Sequence, residues 1–155
     1  MLRASPPARP DTSGVLLGGL IGTFGMTVMV YFAAPGIAGE PVDLAGTLAD
    51  VAGVGWVGGM VLHFMLGALV LPIAYALGAY DRLRGYPWVR GLKFGLGLWL
   101  LAETILMPMV GAGAFHAGQA AGMAAFASLA GHLLYGGLLG GIAGTGAPAA
   151  ALIRI

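Results

Sequence analysis

The chain has no cysteine, which removes disulfides, thiolate metal sites and cysteine nucleophiles from the reading. It is almost as poor in charge. Asp, Glu, Lys and Arg make up 8% of its 155 residues, against about 25% in soluble domains. No segment has the residues of a nucleophile triad, a phosphate-cradling loop or a nucleic-acid-binding surface, so no nucleic-acid partner is expected. What is present is apolar: 59% of the residues are hydrophobic. Runs of about 20 apolar residues, each long enough to cross a bilayer, fill nearly the whole length and leave no room for a separate soluble domain.

The expected fold is therefore all-α: four transmembrane helices in an up-down-up-down bundle, with the lipid bilayer as solvent. Residues 1–13 are rich in proline and polar groups and are expected to be a disordered cytoplasmic tail. The apolar run that follows is too long for the core of a signal peptide, so no cleavage is expected. The membrane domain spans residues 14–145 and a short cytoplasmic tail spans 146–155. Within the domain the spans are expected near 14–34, 52–80, 91–108 and 123–145. Pro35-Gly36 ends the first, and Pro72 kinks the second. A short interfacial helix is expected near 42–51.

Glycine is the other abundant residue, with 29 copies. Gly14, Gly18 and Gly22 recur on one face of span one, and Gly136, Gly140 and Gly144 on one face of span four. Gly59 and Gly67 flank His63 in span two. Small residues at four-residue spacing let helix backbones approach closely in a membrane.

All seven basic residues, Arg3, Arg9, Arg82, Arg84, Arg90, Lys93 and Arg154, lie at the N-terminus, in the middle loop or at the C-terminus. Four spans put those three regions on one side, which the positive-inside rule makes cytoplasmic. The expected location is the bacterial inner membrane. The acidic first loop and the loop carrying His116 then face outward, with Tyr31 and Trp56 in the aromatic belt. The basic loop is first a topology determinant; anionic lipid headgroups are a secondary partner.

Span three carries a single carboxylate, Glu103. A charge there costs roughly 2.5 to 3.5 kcal/mol on insertion scales, so the side chain is expected to face protein. Spans two and four each carry a histidine, His63 and His132, four residues before a glycine and four after a small residue. Counting inward from the outer surface puts Glu103, His63 and His132 at one depth, roughly 12 to 15 Å down at 1.5 Å per residue. Several readings stay open for this buried polar layer. The histidines can simply bond carbonyls across helix contacts. The three groups can relay protons. Two histidines on diagonal, parallel helices can ligate haem b, and two histidines with one carboxylate form the ligand set of a metal ion. The methionines, Met26, Met29, Met60, Met65, Met107 and Met109 among them, are read as filler rather than as copper ligands.

The matched elements His63…Gly67 and His132…Gly136, with Gly18/Gly91, Gly22/Gly95 and Pro35/Pro108, suggest two duplicated helical hairpins related by an axis along the membrane normal. Together with Gly22-Thr23, Pro35-Gly36, His63-Phe64, Gly95…Trp99, Met107-Pro108…Gly111 and Gly131-His132…Tyr135-Gly136, they resemble a family of small four-helix bacterial membrane proteins of unknown function. That resemblance implies the four-helix fold over about residues 14 to 145 and no activity. The expected role is non-enzymatic: an accessory or assembly subunit of a larger inner-membrane complex such as a respiratory one, with a membrane-protein partner or a homo-oligomer. The alternatives are a haem-binding, metal-binding or proton-handling protein built on His63, Glu103 and His132, and a small oligomeric transporter.

Overall fold

The computed structural model describes residues 10–39, 42–117 and 123–144. Four helices in it are long and apolar enough to cross a membrane: α1 (Thr12–Ala38), α3 (Trp56–Ala79), α4 (Pro87–Met109) and α5 (Met123–Gly144). A short helix, α2 (Leu44–Ala52), lies between the first two. The described residues contain no strand. Of the expected tails, residues 1–9 and 145–155 lie outside the described residues, Arg3, Arg9 and Arg154 among them. Helix α1 begins at Thr12, inside the segment expected to be disordered.

Local chemistry sets the helix ends. Asp43 caps α2, its carboxylate accepting the Gly46 N–H at 2.9 Å. Gly53, at φ 66°, terminates that helix in the left-handed conformation that glycine adopts without a steric penalty. Helix α4 opens on Pro87, whose missing N–H is not needed in a first turn.

Prolines inside the spans do not break them. Pro35, Pro72 and Pro108 each follow a five-residue π-helical turn, at Met29–Ala33, Leu66–Val70 and Ala102–Leu106. In each turn the residue before the proline reaches back five positions instead of four: Ala34 to the Met29 carbonyl, Leu71 to Leu66, Met107 to Ala102. The wider turn carries the helix across the residue that cannot donate. Helix α1 therefore continues past Pro35 to Ala38, where the sequence suggested a stop, and α4 passes Pro108 to Met109.

Packing is organised on α5. One of its faces meets α1: a Cβ at Gly18 would lie 2.9 Å from the Leu139 carbonyl oxygen, and one at Gly22 equally close to that of Tyr135. Gly14 lies one turn further along the same contact, beside Ile142. The other face meets α4, where Gly136 packs on the backbone of Gly91 and Gly95, Gly140 on Gly91 and Pro87, and Gly144 on the Pro87 ring. Side chains cannot be accommodated at these backbone crossings. The Trp99 indole N–H adds a 3.0 Å bond to the Ala125 carbonyl. Helix α3 packs on α1, with Gly67 against Thr23 and Gly19 against Pro72. Gly59 receives α2, lying against the Ala45 carbonyl. The glycine faces are thus filled from within the chain.

Helices α3 and α4 meet beside their connecting loop. There the Tyr75 ring contacts Phe94 and Tyr80, and the Arg90 guanidinium lies 4.8 Å from the Tyr80 ring centre. Toward the α2 end they diverge.

A leucine at Gly95 must displace the His132 carbonyl. Gly95→Leu is expected to lower stability by about 1–3 kcal/mol, read as a fall in the thermal transition in detergent. Leu77→Ala, on a side chain that is 82% exposed, should stay within about 0.5 kcal/mol of the wild type.

Candidate functional site

The divergence of α3 from α4 leaves a cleft of about 370 Å³. Its walls are apolar, with Leu66 and Leu71 from α3 and Leu98, Leu101 and Ile105 from α4. Its polar groups are His63 of α3 itself, Thr23 of α1, Ser128, His132 and Tyr135 of α5, and, at the α2 end, Thr47 and His116. Leu101 and Ile105 are more than half exposed, so the mouth faces the surroundings of the bundle sideways.

Hydrogen bonds orient both histidines. The Thr27 hydroxyl donates to the Thr23 carbonyl at 2.7 Å, so it can only accept from His63 Nε2, 2.9 Å away. The neutral His63 ring then carries its proton on Nε2 and keeps a lone pair on Nδ1. His132 Nδ1 lies 2.8 Å from the Ser128 carbonyl, an acceptor, so it carries the proton and leaves the lone pair on Nε2. Two imidazoles on one cleft each retain an acceptor nitrogen. Across the cleft floor the Tyr135 hydroxyl donates 2.8 Å to the Gly67 carbonyl. That carbonyl is free because Leu71 bonds Leu66 instead and Pro72 has no N–H.

His63 and His132 therefore share one cleft and nearly one level, since Thr27 faces the first while Met26, Met29 and Val30 pack on Gly131 beside the second. Glu103 does not join them directly. His132 is level with Gly95, and Glu103 is eight residues beyond Gly95, roughly 12 Å along the helix. Its carboxyl is fully buried, and Oε2 pairs instead with His116 Nδ1 at 3.0 Å. Glu103 Oε1 has no partner. The equal-depth expectation fails because α4 and α5 are staggered by their glycine contacts.

The metal reading loses its ligand set for the same reason. Among the described residues no three His, Asp or Glu side chains are grouped to hold an ion. Haem ligation through both Nε2 atoms would require His63 to leave Thr27. Convergence of His63, Glu103 and His132, which the sequence left open, is not seen among the described residues.

Sequence reasoning left His116 in a neutral outer loop. The structure folds that loop back, with Phe115 and His116 both in the left-handed region at φ 53° and 57°, and buries the imidazole. The available signal was its short separation from Glu103, thirteen residues on the far side of Pro108. Thr23 and Thr27, one turn apart on α1, were also missed.

The α2 end is tied down by Asp43. Its Oδ1 accepts from the Tyr31 hydroxyl at 2.9 Å and from the Trp56 indole at 3.0 Å, besides the Gly46 N–H. Partial burial alone would raise this carboxyl, but the bonds from Gly46, Tyr31 and Trp56 outweigh it and hold it below the ordinary 3.8.

This geometry belongs to a family with no assigned activity: the family of unknown function DUF6789 matches residues 11–151, and the chain belongs to it. No curated protein and no solved structure matches.

A carboxyl depressed on folding contributes stability that is present above its unfolded value and lost as pH falls through its lower folded value. Acidification below 3.8 should therefore loosen α2, read as a change in Trp56 emission in a Trp88→Phe/Trp99→Phe background. Asp43→Asn should abolish that acid transition.

Proposed function

We propose that this protein is a non-enzymatic binding protein of the bacterial inner membrane. It admits a lipid-soluble molecule bearing a hydroxyl or phenol group into the cleft between α3 and α4. One observation carries the reading: His63 and His132 both line an apolar cleft whose mouth faces sideways, and the hydrogen bond each makes leaves it one ring nitrogen able to accept. Such a site favours an apolar body with one hydrogen-bond donor, because acceptors left dry and unpaired cost about 1–3 kcal/mol. The cleft volume of about 370 Å³ falls within the range of small-molecule sites, roughly 300 to 1,000 Å³.

The accessory-subunit reading drew on small size, the lack of a soluble domain and glycine faces on the outer spans. Those faces are filled by α1, α4 and α5 themselves, which leaves it the first two.

The cleft reading is tested with para-octylphenol and its methyl ether, para-octylanisole, titrated into protein in lipid nanodiscs. The phenol should bind about tenfold more tightly, and His132→Phe should erase the difference while keeping apolar binding. Equal affinities in the wild type would end the reading. Purification as a stoichiometric complex with another membrane protein, without phenol binding, would support the accessory role instead.

Both ends of the chain are proposed to lie in the cytoplasm. The support is the basic cluster Arg82, Arg84, Arg90 and Lys93 at one end of the bundle and Asp43 and Asp50 at the other. Reporter fusions after Arg84 should be active as cytoplasmic reporters and fusions at Asp43 as external ones. The opposite pattern would invert the topology.

A further inference from the structure

A second cavity, of about 350 Å³, lies at the α2 end of the bundle. It differs in character from the cleft. Asp43, Asp50, Thr47 and His116 line it, under the end of α4 at Met107 and Val110. His116 is common to both cavities, and so are Val42, Thr47 and Met107. Of these four shared residues only His116 is titratable. Its ring is buried, its Nδ1 is on Glu103 Oε2, and its Nε2 is not used by that pair. On its other side His116 shares the cleft wall with His132 and His63. Glu103 Oε1 is buried with no hydrogen-bond partner, a costly arrangement for a carboxyl whose role is only to hold a loop.

We infer that His116 and Glu103 form a proton route from the polar outer cavity to the buried Glu103 carboxyl. His116 Nε2 takes a proton from hydronium in the outer cavity, breaking one O–H bond, forming one N–H bond and leaving water. The Nδ1 proton passes to the Glu103 carboxylate, breaking one N–H bond and forming one O–H bond. The imidazole ends neutral in the opposite tautomer, and the carboxyl ends neutral; the reverse transfer or a ring flip resets it. The groups facing this pair are Asp43 and Asp50 from the α2 side, His132 from α5 and, beyond it, His63 from α3. From α1 the nearest titratable group is Tyr31, which is held by Asp43. The route does not depend on the cleft being a binding site, because its acceptor is the Glu103 carboxyl itself. The route itself is measurable in protein holding no ligand.

The test uses the full chain in proteoliposomes, with pH stepped on one face at a time. The protonated-carboxyl infrared band that disappears in Glu103→Gln is followed. Because the chain has no cysteine, Arg84→Cys labelled from one side reports the orientation. The band should respond to pH at the α2 face. In His116→Leu and His116→Asn the response should slow by about 100-fold or more, while Leu77→Ala, on an exposed side chain outside both cavities, leaves it unchanged. Variants are scored only if they keep the wild-type thermal transition. Should both His116 variants unfold, the face that drives the band still decides. A band that follows pH at the opposite face, a folded His116 variant with unchanged kinetics, or no band assignable to Glu103 would each overturn the route. Loss of phenol binding alone would leave it standing.

Discussion

Backbone-to-backbone contact on α5 is the constraint on which the other arrangements depend. Glycines at Gly136, Gly140 and Gly144 let α4 sit directly on one side of that helix, and Gly18 and Gly22 bring α1 equally close to the other. Bilayer hydrocarbon offers little incentive for apolar surfaces to join, so close van der Waals packing must hold such a bundle together. With two neighbours drawn in tightly and α3 fixed to α1 by the Gly67–Thr23 and Gly19–Pro72 contacts, the fourth side of the bundle has no comparable seam. Leu98, Leu101 and Ile105 of α4 are bulky where the facing seams carry glycine. The cleft is what remains when three seams close and one cannot.

The π turns serve the same end by a different route. A proline in a bilayer leaves a carbonyl that water cannot satisfy. At Pro72 that carbonyl is Gly67 O, and the Tyr135 hydroxyl reaches it from α5. A defect in one helix thus becomes a polar link to its diagonal neighbour, buried below the cleft. At Pro108 the π turn contains Glu103 itself. The backbone irregularity and the buried carboxyl coincide there, as they often do at functional positions in helices.

Length, apolar composition and glycine spacing were enough to read four spans and the short helix near Asp43, because bilayer thickness and helix rise leave few alternatives. The glycines chosen as contact positions do meet neighbouring backbone or side chains. Which helix each one meets was not legible, since a small-residue stripe specifies closeness and not the identity of its neighbour. The same gap explains Glu103. Counting residues from span ends places groups only as well as the ends are known, and α4 and α5 are offset by packing that no single helix encodes. His116 was illegible for a further reason: its burial depends on a left-handed backbone at two non-glycine residues, Phe115 and His116, which local propensity argues against.

Under the proposed function, the sideways mouth between α3 and α4 changes what affinity means. A molecule arriving through it has already left water, so its effective concentration is its mole fraction in the bilayer. Each added methylene would raise occupancy at a fixed aqueous dose by partitioning alone, at about 0.8 kcal/mol per CH₂, without touching the site. Acyl chains of the surrounding lipid are always present as competitors at the walls formed by Leu66, Leu101 and Ile105. Selectivity must therefore come from the polar floor, and occupancy in a cell would follow the composition of the membrane as much as the supply of any one ligand.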